Sequence, residues 1–266
     1  MKLISWNVNG IRAVERKGEL QSLVNSETPD LLLLQEIKGN AEQFSKYLRE
    51  NPDYQQHYHS AEKKGYAGTA VWVRNDFVES IKNINFNTHI ENLPNSNEGR
   101  IAWLSFKTKR SQYDVFSVYF PNGGKSEQAW IEKLEFFDRM HEHMNLLRDN
   151  GSQVIVGGDM NVAHTAIDIA RAKENDGKIG FHPDERAWMD RLHEDNWSDI
   201  WRQRNPGVKD VYSYWDVITK ARTRNVGWRI DYFLMDKKNY KRVIDIKYLH
   251  DQMGSDHCPI LLDLAD

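Results

Sequence analysis

"QVIVGGDMNV", residues 153–162, decides how the rest of the chain is read. Val154, Ile155 and Val156 form an apolar, β-branched run, the composition of a strand. The run gives out at Asp159, with Asn161 two residues on. A strand that exits onto a carboxylate and an amide is the unit to look for elsewhere. "ISWNVNG", 4–10, repeats it, with Asn7 and Asn9 after the apolar stretch, a faint echo of internal duplication.

Similar runs recur at 2–6, 30–36, 68–74, 100–107, 113–120, 211–217, 229–236, 243–249 and 258–264. Each is expected as a strand. A helix is expected over 127–148, where Trp130, Leu134, Phe137, Met140, Met144 and Leu147 recur every three or four residues and Gly151 follows. Shorter helices are expected at 15–26 and 41–50, and at 184–195 after Pro183. Many strands, few helices and several hairpin-length connections point to an α/β fold with mixed sheets rather than an all-parallel wound sheet. Nothing rich in Pro, Gly or Ser divides the 266 residues, so one domain over 1–266 is expected.

Composition narrows the class. The chain is 39% hydrophobic and 28% charged, with nine Trp and eleven Tyr, enough apolar surface for a large core. No apolar run approaches the ~20 residues of a membrane span, and the apolar stretch in "MKLISWNVNG" is short for a signal peptide; no membrane partner is expected. Cys258 is the only cysteine, so no intramolecular disulfide forms, which suits a reducing cytoplasm. A net charge of −3 excludes a surface coated in basic residues but leaves room for a local Lys/Arg patch on phosphates.

The polar residues at strand ends carry the chemistry. Asn7, Glu36, Asp159 and Asn161 fall at strand exits, whereas Asp231 and the pair Asp256–His257 fall at strand entrances. In a mixed sheet the exits of some strands share a rim with the entrances of others, so one rim can gather carboxylates, amides and a histidine. Any one of these acids alone reads as a turn residue. As a set, with Trp, Tyr and His for neighbours, they read as a site. Clustered oxygens suit a hard cation such as Mg²⁺; a lone Cys followed by Pro, with one adjacent His, lacks zinc-ligand spacing. Cys258 opens an apolar run and is expected in the core, which removes a Cys/His nucleophile.

"SWNVNGIRA", "LLLQEIK", "GYAGTAVWVR", "YFPNGG", "GGDMNVAH", "NVGWRIDYFLM" and "GSDHCPI" stand in one order between residues 3 and 263. In that order the chain resembles the exonuclease III-type apurinic/apyrimidinic endonucleases of the endonuclease/exonuclease/phosphatase superfamily. "QE", "GDMN" and "SDH" mark the superfamily at large, which includes DNase I-like nucleases; "NVGWRIDYFLM" with "MGSDHCPI" is specific to the DNA-repair branch. The resemblance implies a four-layer α/β sandwich, two mixed sheets face to face with helices outside, and a site on one rim. It implies a Mg²⁺-dependent nuclease, with Mn²⁺ as a substitute ion. The enzyme would cut double-stranded DNA 5′ to abasic sites and process blocked 3′ ends. It would act as a cytoplasmic monomer, nucleoid-associated in a prokaryote.

The resemblance also implies roles. Glu36 is the principal metal ligand, supported by Asn7, with Asp256 on the metal or on a water beside it. Asp159 orients or deprotonates the attacking water and Asn161 positions it. Tyr119 and Asn122 contact phosphate, as does His257, with Asp231 as its carboxylate partner. A carboxylate that accepts from Nδ1–H fixes the imidazole tautomer and raises its pKa, favouring the imidazolium that a phosphate wants. Tyr214, Trp228 and Ile230 form an apolar pocket for an extruded, base-less sugar, which selects by excluding a full nucleotide. Arg100 and Lys125, and less directly Lys173, Arg171 and Arg222, contact phosphates. Asn9 stands where some eukaryotic members carry an acid. Lys178 and Asp216 stand where some have Asn, and Thr or Ser. Rival readings are a nuclease acting mainly as an exonuclease or on damaged or deaminated nucleotides, an inactive DNA-binding protein, and a small-molecule phosphatase. The last two are disfavoured by the intact acid–amide–histidine set and by "NVGWRIDYFLM", respectively.

Overall fold

The structure, a computed structural model, describes residues 1–265. Its first sheet holds β1 (Lys2–Asn7), β2 (Leu31–Gln35), β3 (Tyr54–His59), β4 (Thr69–Arg74), β11 (Val243–Tyr248) and β12 (Ile260–Leu264), in the order β11-β12-β1-β2-β4-β3. The second holds β5 (Lys82–Asn87), β6 (Ile101–Lys107), β7 (Gln112–Tyr119), β8 (Gln153–Asp159), β9 (Trp197–Asp199) and β10 (Asp231–Asp236), in the order β5-β6-β7-β8-β10-β9. Each sheet is mixed, with one parallel pair at its centre: β1 with β2, and β7 with β8. Read in opposite directions, the two orders set β1 against β8, the two strands whose polar exits echo each other in sequence.

Among the described residues eight α-helices connect the strands: α1 (Ile11–Arg16), α2 (Glu19–Glu27), α3 (Lys46–Arg49), α4 (Asn75–Ser80), α5 (Glu127–Asp149), α6 (Ala172–Asn175), α7 (Pro183–Glu194) and α8 (Ile200–Arg204). Alternation along the strands divides the apolar residues into layers. Leu3, Leu31, Leu33, Val115, Ile155, Phe233 and Leu262 fill the space between the sheets. Ile4, Trp6, Leu32, Leu34 and Trp72 point the other way, onto Val14, Leu20 and Leu23 of α1 and α2. Phe116, Val118, Val154 and Val156 take Phe136, Phe137 and Met140 of α5 and Trp188 of α7. This is the expected four-layer α/β sandwich.

Several expected elements differ. The run 211–217 is not a strand: Tyr214 makes isolated bridges to Trp228 and His257, and its neighbours are buried as loop. Residues 15–26 break into α1 and α2 at Gly18, whose φ of 75° ends the first helix. Residues 41–50 give a 3₁₀ turn, Ala41–Gln43, and the four-residue α3. β3, β5 and β9 were not expected. All three are sheet edges, where one side meets water, so "YQQHYH" and "KNINFN" lack an apolar run.

The inner faces change character along their length. Moving towards the exits of β1, β2, β7 and β8, Leu3, Leu33, Val115 and Ile155 give way to Ser5, Gln35 and Ser117, then to Asn7, Tyr119 and Asp159. Gln35 Nε2 donates to Ser117 Oγ across the gap (2.9 Å) and to Ser5 Oγ (3.2 Å), so the buried amide ties the sheets together just below the rim. At the opposite pole the Met1 amine donates to the Leu264 carbonyl (2.6 Å) where β1 and β12 run antiparallel. β7 and β8 approach so closely that a Cβ on Gly158 would lie 1.9 Å from the Val118 carbonyl oxygen. Because backbone is the obstacle, Gly158→Ala is expected to lower stability by about 3 kcal/mol or more, read as a lower urea midpoint. A wild-type midpoint would mean that the central pair can part without cost.

Candidate functional site

Strand alternation brings the rim residues face to face. Asn7 closes β1, Asp159 closes β8 and Asp231 opens β10, all on inner faces, while Glu36 follows β2 with a left-handed φ of 51°. Such a φ is strained for a branchless but bulky side chain. Pairing beyond the strand ends holds it: Val8 N–H donates to Gln35 O (3.0 Å), Gly10 N–H to Glu36 O (2.7 Å) and Ile11 N–H to Ile37 O (3.1 Å). The exits of β1 and β2 are thus one hydrogen-bonded platform.

Asn7 joins the two sheets. Its amide nitrogen donates to Glu36 Oε1 and to Asp159 Oδ2, both at 2.9 Å, while its oxygen accepts from Asn9 N–H (3.0 Å). In this geometry Asn7 bridges two carboxylates and presents no oxygen between them. Glu36 Oε2 pairs with Lys38 Nζ at 2.7 Å, and the same ammonium donates to Asn9 Oδ1. Asn9 in turn donates to Asp256 Oδ2 (2.9 Å). Burial opposes charge on Glu36, yet the Lys38 ammonium and the Asn7 amide overcome it and hold the carboxyl below its usual range.

His257 lies between acids. Its Nδ1 is 2.8 Å from Asp231 Oδ2, and its Nε2 is 3.9 Å from Asp159 Oδ2. Burial disfavours a charged ring, but Asp231, Asp159 and Asp256 outweigh it and raise the imidazole to about 10. Asp159 rises to about 7, from burial and from the Asp231 charge, against His257 and the Asn161 N–H (2.8 Å). Burial, with the Glu36 and Asp159 charges, pushes the Tyr119 phenol well above its ordinary range, so its hydroxyl keeps its proton. Burial and the Asp231 charge also push the Cys258 thiol up; it is a core group and no nucleophile.

A cleft of about 340 Å³ opens over these groups. Of the residues singled out in the sequence, Glu36, Tyr119, Asn122, Asp159, Asn161, Asp256 and His257 form its polar side, and Tyr214, Trp228 and Ile230 its apolar wall. Asn7 and Asp231 are buried behind it. Arg100 and Lys125 stand beside it, both donating to Tyr66 Oη (3.0 and 2.9 Å), but Arg100 departs from the expected phosphate contact: it is buried, paired with Glu98 (2.6 Å), donates to Tyr119 O (3.2 Å) and lies 4.9 Å over the Tyr119 ring. Arg171 and Lys173 are exposed on and beside α6. Arg222 departs from the expected phosphate contact. Its guanidinium donates to the carbonyls of His250, Gln252 and Ser255 and covers Trp215, clamping the loop ahead of His257.

Sequence reading missed Asn9 as a link to Asp256, Lys38, and the wall residues Ile179 and Gly180. Gly180 has a φ of +86°, and a Cβ there would come 2.7 Å from the Trp228 ring, so the glycine lets the indole lie flat on the loop. Arg229 was also missed. Fully buried, it pairs with Asp168 and Asp199 (both 2.7 Å) and fixes the chain so that Trp228 and Ile230 face the cleft. The "EIK" that follows β2 offered a signal for Lys38; nothing local marks Arg229 as internal.

A sequence model of the endonuclease/exonuclease/phosphatase family matches residues 4–257. The chain is 36% identical over 262 residues to the exodeoxyribonuclease of Bacillus subtilis, covering 98% of each protein. It is 34% identical over 270 residues to the DNA-(apurinic or apyrimidinic site) endonuclease of Dictyostelium discoideum, covering 98% of this chain and 69% of that protein. The crystal structure of an AP endonuclease from Leishmania major superposes with a TM-score of 0.88 at 29% identity, covering 100% of this chain and 87% of that one.

The His257–Asp231 pair sets a pH signature. A raised imidazole value means the charged ring stabilises the fold in full below ~6.5 and loses that contribution as pH climbs through about 10. In NMR titrations of the metal-free protein, His257 is expected to stay charged from pH 6 to 8 (about the physiological span), and Asp231→Asn to lower its midpoint. An identical midpoint in the variant would contradict the pairing.

Proposed function

The chain belongs to the endonuclease/exonuclease/phosphatase family, and from that premise we propose that it is a DNA-repair nuclease of the exodeoxyribonuclease III/AP endonuclease kind. It hydrolyses the phosphodiester 5′ to an abasic site in double-stranded DNA, with 3′→5′ exonuclease and 3′-end cleaning as accompanying activities. One juxtaposition carries this assignment: the anion-seeking pair of His257 and Tyr119 shares a cleft with Asp159 and with the apolar wall of Tyr214, Trp228 and Ile230. A base-less deoxyribose offers such a wall an apolar ring face without the bulk of a base. Its 5′ phosphate then falls towards the charged side.

Divalent-ion dependence is supported by the donor set. Glu36 Oε2 and Asn9 Oδ1 already converge on one positive charge, the Lys38 ammonium, and Asp256 lies one hydrogen bond away. Oxygen donors of this kind suit Mg²⁺, with Mn²⁺ as a substitute, and Glu36 and Asp256 would hold it, beside the Glu36, Asp159 and His257 donor atoms that lie within 4.8 Å of one another. When bound, the ion supplies positive charge to the phosphate oxygens.

The protein's own groups do the rest. Asp159, held by Asn7 and by the Asn161 backbone, accepts a proton from the water that attacks phosphorus. The His257 imidazolium, kept charged by Asp231, faces the phosphate oxygens, and Tyr119 donates its retained phenol proton to them. The bond from phosphorus to the 3′ oxygen of the preceding nucleotide breaks, and that oxygen takes a proton to leave as a 3′-hydroxyl. The exposed Lys125 takes a flanking phosphate, Arg100 holds Tyr119 and Tyr66 in place, and the protein acts as a monomer in the cytoplasm.

Matched duplexes bearing an abasic analogue, uracil or a 3′-phosphate, incubated with Mg²⁺ or with EDTA, test this reading. Cleavage of the abasic strand with Mg²⁺ and none in EDTA is expected, with Mn²⁺ restoring it. Glu36→Gln and His257→Ala are each expected to lose about 10² or more in kcat while retaining the wild-type fold by circular dichroism. No incision of the abasic duplex with Mg²⁺ would overturn the assignment; undiminished cutting in EDTA would overturn its ion dependence.

A further inference from the structure

The stripe that α5 turns to the core contains one residue that does not belong there on composition. Phe136, Phe137, Met140 and Met144 are apolar, but Lys133 lies in line with them and is 0% exposed. Its ammonium has three protons to place. One goes to Asn122 O (3.1 Å), one to Asn161 O (2.9 Å) and one to the Glu185 carboxylate of α7. Glu185 is also 0% exposed, and it accepts from Gly180 N–H (3.0 Å) and His182 N–H (2.9 Å).

A buried ion pair is poor value as a stabiliser: apolar side chains of similar volume are often as good or better. What apolar groups cannot do is hold backbone carbonyls and amides. Here every backbone group the pair holds lies in a segment that reaches the cleft. Asn122 and Asn161 present their side chains to it, and the Asn161 N–H holds Asp159. Gly180 carries the Trp228 indole.

We infer that Lys133 and Glu185, which touch no substrate, are positioning residues that lock residues 120–124, 159–163 and 179–182 into one rigid body. This rests on the nuclease reading above. The lock sets Asp159 and the two amides at a fixed distance from the apolar wall, so that a sugar seated on the wall presents its phosphate to the water-activating carboxylate. Other hydrogen bonds join the segments two at a time, Phe120 N–H to Asp159 O (2.9 Å) and the Asn161 side chain to Phe120 O (2.8 Å) on one side and Ala163 N–H to Gly180 O (2.8 Å) on the other; the Lys133–Glu185 pair bonds to all three from the buried side.

Lys133→Met with Glu185→Leu removes the lock and leaves no buried charge unmatched. On abasic duplex with Mg²⁺, the folded double variant is expected to lose about tenfold or more in kcat with KM within about threefold of wild type. In the protein alone, amide hydrogen exchange is expected to quicken in all three segments together and to stay unchanged at 35–38. A folded double variant with wild-type kcat and wild-type exchange in those segments would overturn the inference. Should the double variant fail to fold, Glu185→Gln keeps the shape and removes only the charge; a loss of about threefold or more in kcat at constant KM supports the lock, and wild-type values of kcat and exchange overturn it. If the wild-type protein cuts no abasic DNA, the nuclease reading fails alone, and the exchange comparison, which needs no substrate, still decides the lock.

Discussion

The site exists because two sheet faces, packed on each other, turn from apolar to polar at one end of the gap between them. Strand alternation leaves no choice about which residues meet there: the side chains that follow Leu3, Leu33, Val115 and Ile155 on the inner faces are Ser5, Gln35, Ser117, Asn7, Tyr119 and Asp159. The sheets must therefore hold one register, since a slip of one residue in any central strand would swing a polar side chain of the rim out of the cleft. Cross-sheet hydrogen bonds fix that register where hydrophobic packing, which has no direction, cannot. Gln35 to Ser117, Asn7 to Asp159 and Asp231 to His257 are all of this kind.

That arrangement concentrates negative charge where water is scarce. Asp159 and Asp231 are buried and Glu36 is half-buried, and carboxylates taken out of water cost heavily unless paired. The protein supplies two: the imidazolium of His257 between Asp159 and Asp231, and the ammonium of Lys38 on Glu36. The first is buried and fixed by its hydrogen bond; the second sits on a long, partly exposed stem. A cation that enters the cleft competes with a flexible lysine and not with the histidine, so the charge that must stay and the charge that must yield are different residues.

Much of this was legible in the sequence, and the reason is geometric. Strands buried on both faces read as uninterrupted apolar runs, so β1, β2, β4, β8 and β10 announced themselves, and the polar residues at their ends were the rim. The edge strands β3 and β5 did not, because half of their surface is solvated and their side chains are Gln, His and Asn. The run 211–217 misled for the opposite reason. Tyr212, Ser213 and Trp215 are buried, but in a loop whose N–H groups find the Trp228 and Asp256 carbonyls piecemeal instead of a ladder, while Ser213 Oγ accepts from the Ile230 and Asp231 N–H groups. Arg222, Arg229 and Lys133 were beyond reach, since charge in a sequence reads as surface and each of these spends its charge on carbonyls or carboxylates inside the fold.

The seam between β1 and β12 has a consequence for the order in which the site comes into being. β1 is the first strand made and β12 the last, and the histidine that balances the acids arrives on the approach to β12, anchored by the Trp6 indole N–H to its carbonyl (3.1 Å). A nascent chain long enough to have formed β1, β2, β7, β8 and β10 already owns Glu36 with its partner Lys38, and Asp159 and Asp231, but lacks the imidazole that lies between the two aspartates. Until β12 inserts, β1 keeps an open edge and the two aspartates stand without the charge that balances them. Of the charged groups that meet in the cleft, the one that balances the two aspartates is thus the last to be added.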